Sequence, residues 1–378
     1  MVEVLMSIIL AFGITFYAIP AIIHAAQEKK LFDFPDERKL HRQPVPSLGG
    51  IGIFSGFITA FLLTASFTEL SVKFQYLLAA ALVIFFVGLK DDLLVISPFK
   101  KFLGQVLAAA IICFKGGLVI TTMDGFLGIY ELPEMAGYLL TMLTIVVVIN
   151  AYNLIDGVDG LATVLSLISA AFFAVYFGVN DYLAYACMAT SLIGALLAFL
   201  IFNAQPARIF MGDTGSMMLG LLHSMMVIQF LNTAPTAPIF PVISAPAIGF
   251  AIMFVPLFDT LRVFSFRMLR GTSPFTPDRN HIHHILLRFR LSHNKVVAVL
   301  SFAAVLFPAT VWFLRDLGSN WLLLGMIGIG FGIVGVLVLR YKIISSQTVI
   351  QGGVGSIGKK GTAIRSISPP DRKVAGQH

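Results

Sequence analysis

Long apolar stretches separated by short polar segments make up most of the chain. A transmembrane α-helix needs about 20 consecutive, mainly apolar residues, and eleven stretches approach that length. They lie at residues 4–26, 48–67, 75–90, 102–121, 136–152, 161–178, 182–202, 214–231, 243–263, 296–314 and 318–339. The pattern predicts an all-α integral membrane protein with about 11 transmembrane helices.

Composition agrees with a chain that lies mostly in lipid. Hydrophobic residues make up 57% and charged residues 12%, and the mean hydropathy is +0.90, whereas an average soluble domain is about 25% charged. The apolar stretches leave no room for a separate soluble domain, so residues 1–344 are expected to form one polytopic membrane domain. Residues 345–378 are basic and rich in Gly and Ser, a composition typical of a disordered segment. Cys113 and Cys187 lie in apolar stretches, which argues against a zinc cluster or a disulfide framework.

The distribution of basic residues predicts the orientation. If the N-terminus lies outside, 23 of the 26 lysines and arginines fall in inside segments, and only Lys73, Lys115 and Arg315 remain outside. Because cytoplasmic loops carry the excess of Lys and Arg, the N-terminus is expected outside and the C-terminus in the cytoplasm. The net charge of +7 is then a signal of topology and of attraction to anionic membrane lipids. It does not indicate nucleic-acid binding.

One outside segment has the composition of a turn. Residues 121–134 contain Gly125, Gly128 and Pro133, which predicts a short hairpin or a re-entrant piece.

An acidic pair, Asp91 and Asp92, ends the third predicted helix. Negative charge at a helix C-terminus opposes the helix dipole and costs about 0.3–1 kcal/mol per charge. A bound cation, or a proton-accepting role for one carboxylate, would compensate for this placement.

A second motif places Asn153, Asp156 and Asp159 at every third position, with Gly157 and Gly160 among them. In a helical turn the three polar side chains share one face, and glycines allow the close approach of a phosphate or a base. Oxygen ligands without cysteine favour Mg²⁺ or Mn²⁺ over zinc. The alternative is an ordinary Asn/Asp-Gly turn.

Asp213 stands between two glycines just before the eighth predicted helix. Thr214 or Ser216 is expected to cap this helix, and its N-terminus would favour a bound phosphate. A plain capping loop is the alternative.

The longest inside loop contains Arg279 followed by His281, His283 and His284. Such side chains suit phosphate binding and proton transfer. A histidine zinc site or an exposed basic loop without a partner are the alternatives. The basic segment 38–42 can also contact phosphate, although its role in topology explains it nearly as well.

Taken in order, these motifs resemble the polyprenyl-phosphate N-acetylhexosamine-1-phosphate transferase family, glycosyltransferase family 4. The resemblance covers about two-thirds of the chain and is carried by residues 38–41, 91–92, 153–160, 212–216 and 279–284. Within the family, the His-Ile-His-His run is similar to bacterial N-acetylglucosaminyl-1-phosphate transferases. Those enzymes start the synthesis of lipopolysaccharide O-antigen, enterobacterial common antigen or the teichoic-acid linkage unit.

Two features limit what the resemblance implies. The triple-histidine run of the phospho-MurNAc-pentapeptide translocase is absent. Val95 stands where many members carry a third acid, so a third carboxylate in metal binding is not carried over.

The resemblance implies that the phosphate of undecaprenyl phosphate attacks the β-phosphorus of a UDP-sugar such as UDP-GlcNAc and releases UMP. Phosphoryl transfer of this kind depends mainly on positioning and on neutralising charge. The implied cofactor is Mg²⁺, with Mn²⁺ as a substitute, and the implied site faces the cytoplasm from the inner (plasma) membrane. The resemblance also allows a homodimer.

The same resemblance assigns roles to individual residues. The implied catalytic residues are Asp91, Asp92, Asp156, Asp159 and His281. The implied substrate-binding residues are Lys101, Asn153, Asn203, Phe210, Arg279, His283 and His284. Asp213 and Asn153 are the implied metal ligands. Asp91 or Asp92 would activate or position the lipid phosphate, and Phe210 would stack on uracil.

Two other functions also fit a polytopic chain with acidic motifs. A transporter would place polar groups at broken helices near the bilayer midplane, often within an inverted repeat, whereas these groups lie at cytoplasmic ends. A membrane prenyltransferase would use acidic clusters with Mg²⁺, but it would not explain the histidine loop or the Gly-Asp-Thr-Gly-Ser segment.

The predicted orientation is testable with topology reporters. A reporter fused to the C-terminus is expected to be active in the cytoplasm, and one inserted near Thr68 is expected to be active outside, because this arrangement places 23 of 26 basic residues inside. The opposite pair of results would reverse every loop assignment.

Overall fold

The computed structural model describes residues 2–31, 45–65, 72–271 and 280–357. These residues form thirteen α-helices and one two-stranded sheet. The helices are α1 (Val2–Glu28), α2 (Gly49–Thr64), α3 (Val72–Leu94), α4 (Pro98–Ala110), α5 (Glu134–Ile155), α6 (Leu161–Val179), α7 (Leu183–Asn203), α8 (Gly212–Thr233), α9 (Ala245–Ile252), α10 (Phe254–Leu269), α11 (Ile282–Arg288), α12 (His293–Phe313) and α13 (Ser319–Ile357). The strands are β1 (Thr122–Phe126) and β2 (Ile129–Glu131).

The helical class predicted from the apolar pattern is confirmed. Within the described residues, seven helices are long and apolar enough to cross a membrane, and a bent helix pair raises this number to eight. α2 is a shorter apolar helix. The protein is therefore a multi-pass membrane protein, while the count of eleven spans and the orientation stay predictions.

The ninth predicted span, residues 243–263, is not one continuous helix. It is divided into α9 and α10, which meet at Met253 with a bend of 89°. Pro256 explains the break, because a proline in a continuous helix has no N–H to donate and its ring clashes with the carbonyl four residues earlier. In the first turn of a new helix that N–H is not needed.

The fourth predicted span, residues 102–121, also ends earlier than expected. α4 continues as a π-helical turn at Ile111–Lys115, and the chain then leaves the helix. Beyond it, β1 and β2 pair antiparallel, with Thr122 opposite Glu131 and Phe126 opposite Ile129. Of the two forms that the turn composition predicts, a short hairpin or a re-entrant piece, the structure shows the hairpin.

α8 is the central helix, and its side chains are buried along almost its whole length. Two glycines on other helices let their backbones approach it, and a glycine of α8 does the same for α5. A Cβ on Gly50 would lie 2.2 Å from the backbone nitrogen of Gly215, and one on Gly88 would lie 2.5 Å from the Cα of Thr214. On α8 itself, a Cβ on Gly220 would lie 2.4 Å from the Cα of Ile149. Small residues at helix contacts are the usual device for close packing in membranes.

The C-terminal part of the chain is a separate unit. One compact unit comprises Met1–Val334, and a second begins at Gly335. α13 extends to Ile357, past residue 345, where the sequence places the start of the tail. Residues 358–378 lie outside the described residues.

Candidate active site

The start of α8 is capped by a side chain from α3. The backbone N–H groups of Asp213 and Thr214 donate to the two carboxylate oxygens of Asp92 at 2.7 and 3.0 Å, and the Thr214 hydroxyl donates to Asp92 at 2.5 Å. α8 has no cap from a side chain of its own first turn, since Ser216 donates instead to the Gly212 carbonyl. The predicted caps are therefore replaced by Asp92, and two of the N–H groups expected to face a phosphate are already occupied.

Gly212 is the residue that makes this cap possible. Its φ is +72°, a left-handed conformation that disfavours residues with a Cβ. A Cβ at this position would lie 2.1 Å from the Ser47 carbonyl oxygen and 2.7 Å from both carboxylate oxygens of Asp92. Only glycine therefore lets the chain turn into α8 while Asp92 reaches its first N–H groups.

The segment before α2 supports the same turn. Phe210 donates its N–H to the Pro46 carbonyl at 2.8 Å, and its own carbonyl accepts from Gly49 at 2.9 Å. Gly50 donates to the Met211 carbonyl at 2.8 Å. These backbone bonds hold the Gly-Asp-Thr-Gly segment between α2 and α3.

Four side chains from four helices meet next to this cap. The Lys101 ammonium of α4 lies 2.5 Å from the Asp91 Oδ2 of α3 and 2.5 Å from the Asp213 Oδ2 of α8. Asn153 of α5 donates from Nδ2 to Asp213 Oδ1 at 2.5 Å and to the Ser216 hydroxyl at 2.9 Å. The structure therefore brings together four of the residues that the sequence singles out.

The adjacent acids of α3 differ in environment. Asp91 accepts the Ile96 N–H at 2.7 Å on one oxygen and contacts Lys101 with the other. Burial and the neighbouring carboxylate of Asp213 raise the pKa of Asp91. Burial also raises the pKa of Asp92, to about 7, against the opposing effect of its bonds from Thr214. Only Asp91 of the pair thus contacts the Lys101 and Asp213 side chains.

The loop after α5 adds further negative charge. Burial, together with the charges of Asp213, Asp92 and Asp159, raises the pKa of Asp156 to about 7. Burial disfavours the charge of Lys101, but Asp213 and Asp91 outweigh this effect and raise the pKa of its ammonium. A cluster with this excess of carboxylate charge is a place where an added cation is favourable.

Asn203 and Asp159 join the loops around the cluster. The Asn203 carbonyl oxygen accepts from the Gly160 N–H at 3.1 Å and the Thr163 hydroxyl at 3.0 Å, and its amide donates to the Ile209 carbonyl at 3.0 Å. Asp159 Oδ2 lies 3.3 Å from His293 Nδ1 at the start of α12. The structure thus shows these two residues fixing loop positions, and their predicted contacts with a nucleotide stay predictions.

The histidine run lies against the same loop. The rings of His281 and His283 stack nearly parallel, with centroids 5.7 Å apart, and the His284 ring lies 4.3 Å from that of His283. A Cβ on Gly157 would be 2.5 Å from His283 Nε2, so this glycine lets the histidine approach. Burial lowers the pKa of His283 to about 3, which keeps its ring neutral.

Two functional candidates were missed by the sequence reasoning. Asp259 and Arg262 of α10 form a buried ion pair at 2.8 Å, and Asp259 also contacts His281 Nδ1 at 2.8 Å. The signal was present, because an ionisable residue inside an apolar stretch is a functional candidate by default. Asp259 falls within the ninth predicted span.

Two predicted sites, Arg279 and the basic segment 38–42, lie outside the described residues. Val95, at the position where a third acid would stand, is described and is 86% exposed just after α3.

An apolar cavity of about 820 Å³ is lined by Phe102, the neighbour of Lys101, and by Asn150, one helical turn before Asn153. Its lining extends along α5 from Leu140 to Asn150. Ten residues of helix correspond to about 15 Å. Other walls come from α8, α9, α10 and the hairpin, through Val227, Phe250 and further apolar side chains.

The donor set is compatible with a hard divalent cation. Within the described ranges no group of three or more His, Cys, Asp or Glu side chains stands in metal-binding geometry, so the protein alone provides no closed cage there. Mg²⁺ is commonly held by one or two carboxylates together with substrate phosphates. Asp213 and Asn153 fit that kind of binding, and Asp213 already pairs with the Lys101 ammonium.

These features define a multi-pass membrane enzyme, and comparison with known sequences identifies its family. Glycosyl transferase family 4 matches residues 74–231. Decaprenyl-phosphate N-acetylglucosaminephosphotransferase of Mycobacterium tuberculosis is 34% identical over 313 residues, which cover 76% of each chain. The probable undecaprenyl-phosphate N-acetylglucosaminyl 1-phosphate transferase of Bacillus subtilis is 32% identical over 82% of this chain and 87% of its own.

A third relative, undecaprenyl-phosphate alpha-N-acetylglucosaminyl 1-phosphate transferase of Escherichia coli O157:H7, is 28% identical over 83% of this chain and 85% of its own. The chain belongs to glycosyl transferase family 4 and is a transferase. The family expected from the motifs is confirmed.

The Asp92 cap yields a stability prediction. In Asp92→Asn a single amide oxygen replaces two carboxylate oxygens, and its NH₂ group faces the N–H donors of α8. We expect the free energy of unfolding to fall by about 1–2 kcal/mol, as when other helix caps are lost. Thermal unfolding of the detergent-solubilised protein measures the change.

Asp181→Asn is the matched control. It makes the same chemical change at a residue that is exposed in the turn between α6 and α7. Equal unfolding midpoints for the two variants would show that the cap does not stabilise the fold.

Proposed function

We propose that this enzyme transfers N-acetylglucosamine 1-phosphate from UDP-GlcNAc to undecaprenyl phosphate. An oxygen of the lipid phosphate bonds to the β-phosphorus, the bond from that phosphorus to the oxygen bridging the two phosphates breaks, and UMP leaves. The product is the lipid-linked diphosphate sugar, which starts a cell-envelope glycan. The names of the relatives, all polyprenyl-phosphate N-acetylglucosamine phosphotransferases, support this assignment.

The observation that carries the proposal is the meeting of Asp91, Lys101, Asn153 and Asp213, together with an apolar cavity that Phe102 lines. A polyprenyl phosphate has a charged head and a long hydrocarbon chain. A site for it needs polar groups at the mouth of an apolar channel, since most of a bound ligand's surface is buried against matching chemistry. The four side chains, together with a cavity whose lining includes Phe102 and Asn150, provide that combination.

Lys101 is the residue that can hold the phosphates. Its ammonium lies between two carboxylates, so it is fixed near the centre of the cluster. An ammonium is a compact point charge with three donors, and it can turn from Asp91 towards a phosphate oxygen without moving its helix. Positioning of this kind supplies most of the catalysis in phosphoryl transfer.

Asp213 and Asn153 would hold Mg²⁺, which when bound would neutralise charge on the diphosphate. Asp91 would then orient the lipid phosphate, because it contacts Lys101 directly and both oxygens of Asp92 are taken by the α8 cap. The choice between the two adjacent acids thus favours Asp91.

The nucleotide would lie on the side of the loop after α5. Asp156 is a carboxyl group whose pKa is raised to about 7, so it can donate or accept a hydrogen bond at neutral pH. Phe210 is half-buried and follows Ile209, whose carbonyl is joined to the Gly160 end of this loop through Asn203. Its ring is the one on which uracil would stack. His281, His283 and His284, stacked against that loop, would contact the diphosphate and the sugar.

The proposed reaction needs a site that faces the cytoplasm, and the predicted membrane orientation supplies one. The positive-inside distribution of Lys and Arg places the acidic cluster and the histidine run on the cytoplasmic face of the inner (plasma) membrane, where UDP-sugars are available. A homodimer, which the likeness to the family allows, stays a prediction.

Substrate choice is the first test. We expect purified enzyme with Mg²⁺ and undecaprenyl phosphate to release UMP from UDP-GlcNAc, or from a close acetamido relative such as UDP-GalNAc. It should refuse UDP-MurNAc-pentapeptide and use UDP-glucose poorly, because a site that bonds an acetamido group rejects a sugar lacking it by large factors. UMP and lipid-linked product are measured for each donor.

Efficient use of UDP-MurNAc-pentapeptide would contradict the assignment within the family. Release of no UMP from any UDP-sugar would contradict the proposed reaction itself.

Asp213→Asn is the second test. We expect turnover to fall by orders of magnitude, because the amide cannot neutralise cationic charge at the centre of the cluster. UMP release is compared with that of Asp316→Asn, the same change at an exposed residue near the start of α13. Activity of Asp213→Asn within a few-fold of the wild type would remove Asp213 from the metal site.

A further inference from the structure

A buried polar cluster on α10 lies behind the first histidine of the run. Asp259 and Arg262 are only 2% and 3% exposed, and they pair at 2.8 Å. Asp259 also accepts from the His281 ring at 2.8 Å and from the Ile282 N–H at 2.9 Å. Arg262 donates in addition to the carbonyl of Asn280.

Each of these bonds constrains one part of the same short segment. The Ile282 N–H belongs to the first residue of α11, so Asp259 caps that helix from a neighbouring one. Arg262 holds the residue before His281 by its carbonyl oxygen. The backbone on both sides of His281 and the ring itself are therefore all fixed from α10.

Replacing such a pair by apolar residues often costs little stability, whereas removing one partner leaves an uncompensated buried charge. A buried ion pair is thus weak support for stability alone. The directed bonds to a histidine and to the segment that carries it indicate a task in orienting the ring.

The bond to Asp259 selects the form of the histidine. The carboxylate beside Arg262 is an acceptor, so His281 carries hydrogen on Nδ1 and its second nitrogen, Nε2, is the atom left for a substrate. The His281 ring stacks on His283, and His283 lies against Gly157 in the loop that contains Asp156. Asp259 thus sets the position of the histidine run relative to the acidic cluster.

We infer that Asp259 is a positioning residue that acts through His281, with Arg262 orienting its carboxylate. The inference rests on the proposed function and extends it to a part of α10 that touches no residue of the acidic cluster directly. Asp259 contacts no reacting atom itself.

The test is a double-mutant comparison. Asp259→Asn keeps the size of the side chain but lets the histidine adopt the other tautomer, as in aspartate–histidine pairs of serine hydrolases. We expect kcat for UMP release to fall about 10²-fold or more, the lower end of what a positioned acid–base group contributes. If Asp259 acts through His281, then Asp259→Asn combined with His281→Ala is no slower than His281→Ala alone, within about twofold.

Two controls separate positioning from a general loss of structure. Asp181→Asn makes the same change at an exposed aspartate in the turn between α6 and α7, and should retain wild-type kcat. Asp259→Glu keeps the carboxylate and should recover part of the activity lost in Asp259→Asn. The inference would be overturned if the loss of kcat in the double variant equalled the product of the two single losses. Wild-type kcat in Asp259→Asn would overturn it as well.

A spectroscopic measurement covers the case in which Asp259→Asn does not fold. In the NMR spectrum of the ¹⁵N-histidine-labelled wild type, the ring signals that disappear in His281→Ala belong to His281. They report the tautomer of that ring, and we expect hydrogen on Nδ1. Hydrogen on Nε2 alone would overturn the inference. This readout needs no turnover, so it also distinguishes a wrong proposed reaction, in which the wild type releases no UMP, from a wrong role for Asp259.

Discussion

The bond between Asp92 and the start of α8 is the constraint on which the rest of the site depends. It joins the end of α3 to the central helix, and α8 carries Asp213 in its first turn. A helix N-terminus has N–H groups without helical partners, and a carboxylate is the strongest acceptor available for them. The unfavourable position of an acid at the end of α3 is thereby offset by a favourable one at the start of α8.

The division of labour between Asp91 and Asp92 follows from helix geometry. Adjacent residues on a helix point about 100° apart, since a turn contains about 3.6 residues. Asp92 therefore faces the backbone of α8, while Asp91 faces Lys101 on α4. Two chemically identical neighbours in the sequence thus have separate roles, one in holding the site together and one in contact with its cation.

The bend between α9 and α10 matters in the same way for the histidine run. A straight ninth span would direct its polar residues along the membrane normal. The turn of 89° at Met253 gives α10 a direction different from that of α9, and α10 presents Asp259 and Arg262 to the segment around His281. The histidine run, through His283, then lies against Gly157, the neighbour of Asp156 in the loop after α5.

The sequence by itself determined the helical membrane class and the family, because apolar length and ordered motifs are local properties. It also indicated Asp91, Asn153 and Asp213 as candidate site residues, and the resemblance to the family added Lys101. Only the tertiary structure decided that Asp92 caps α8, that the ninth span is bent and that Asp259 holds His281. Those features depend on which backbone donors and side chains meet across helices, and residues 121 positions apart in the chain, such as Asp92 and Asp213, leave no local pattern that shows they touch.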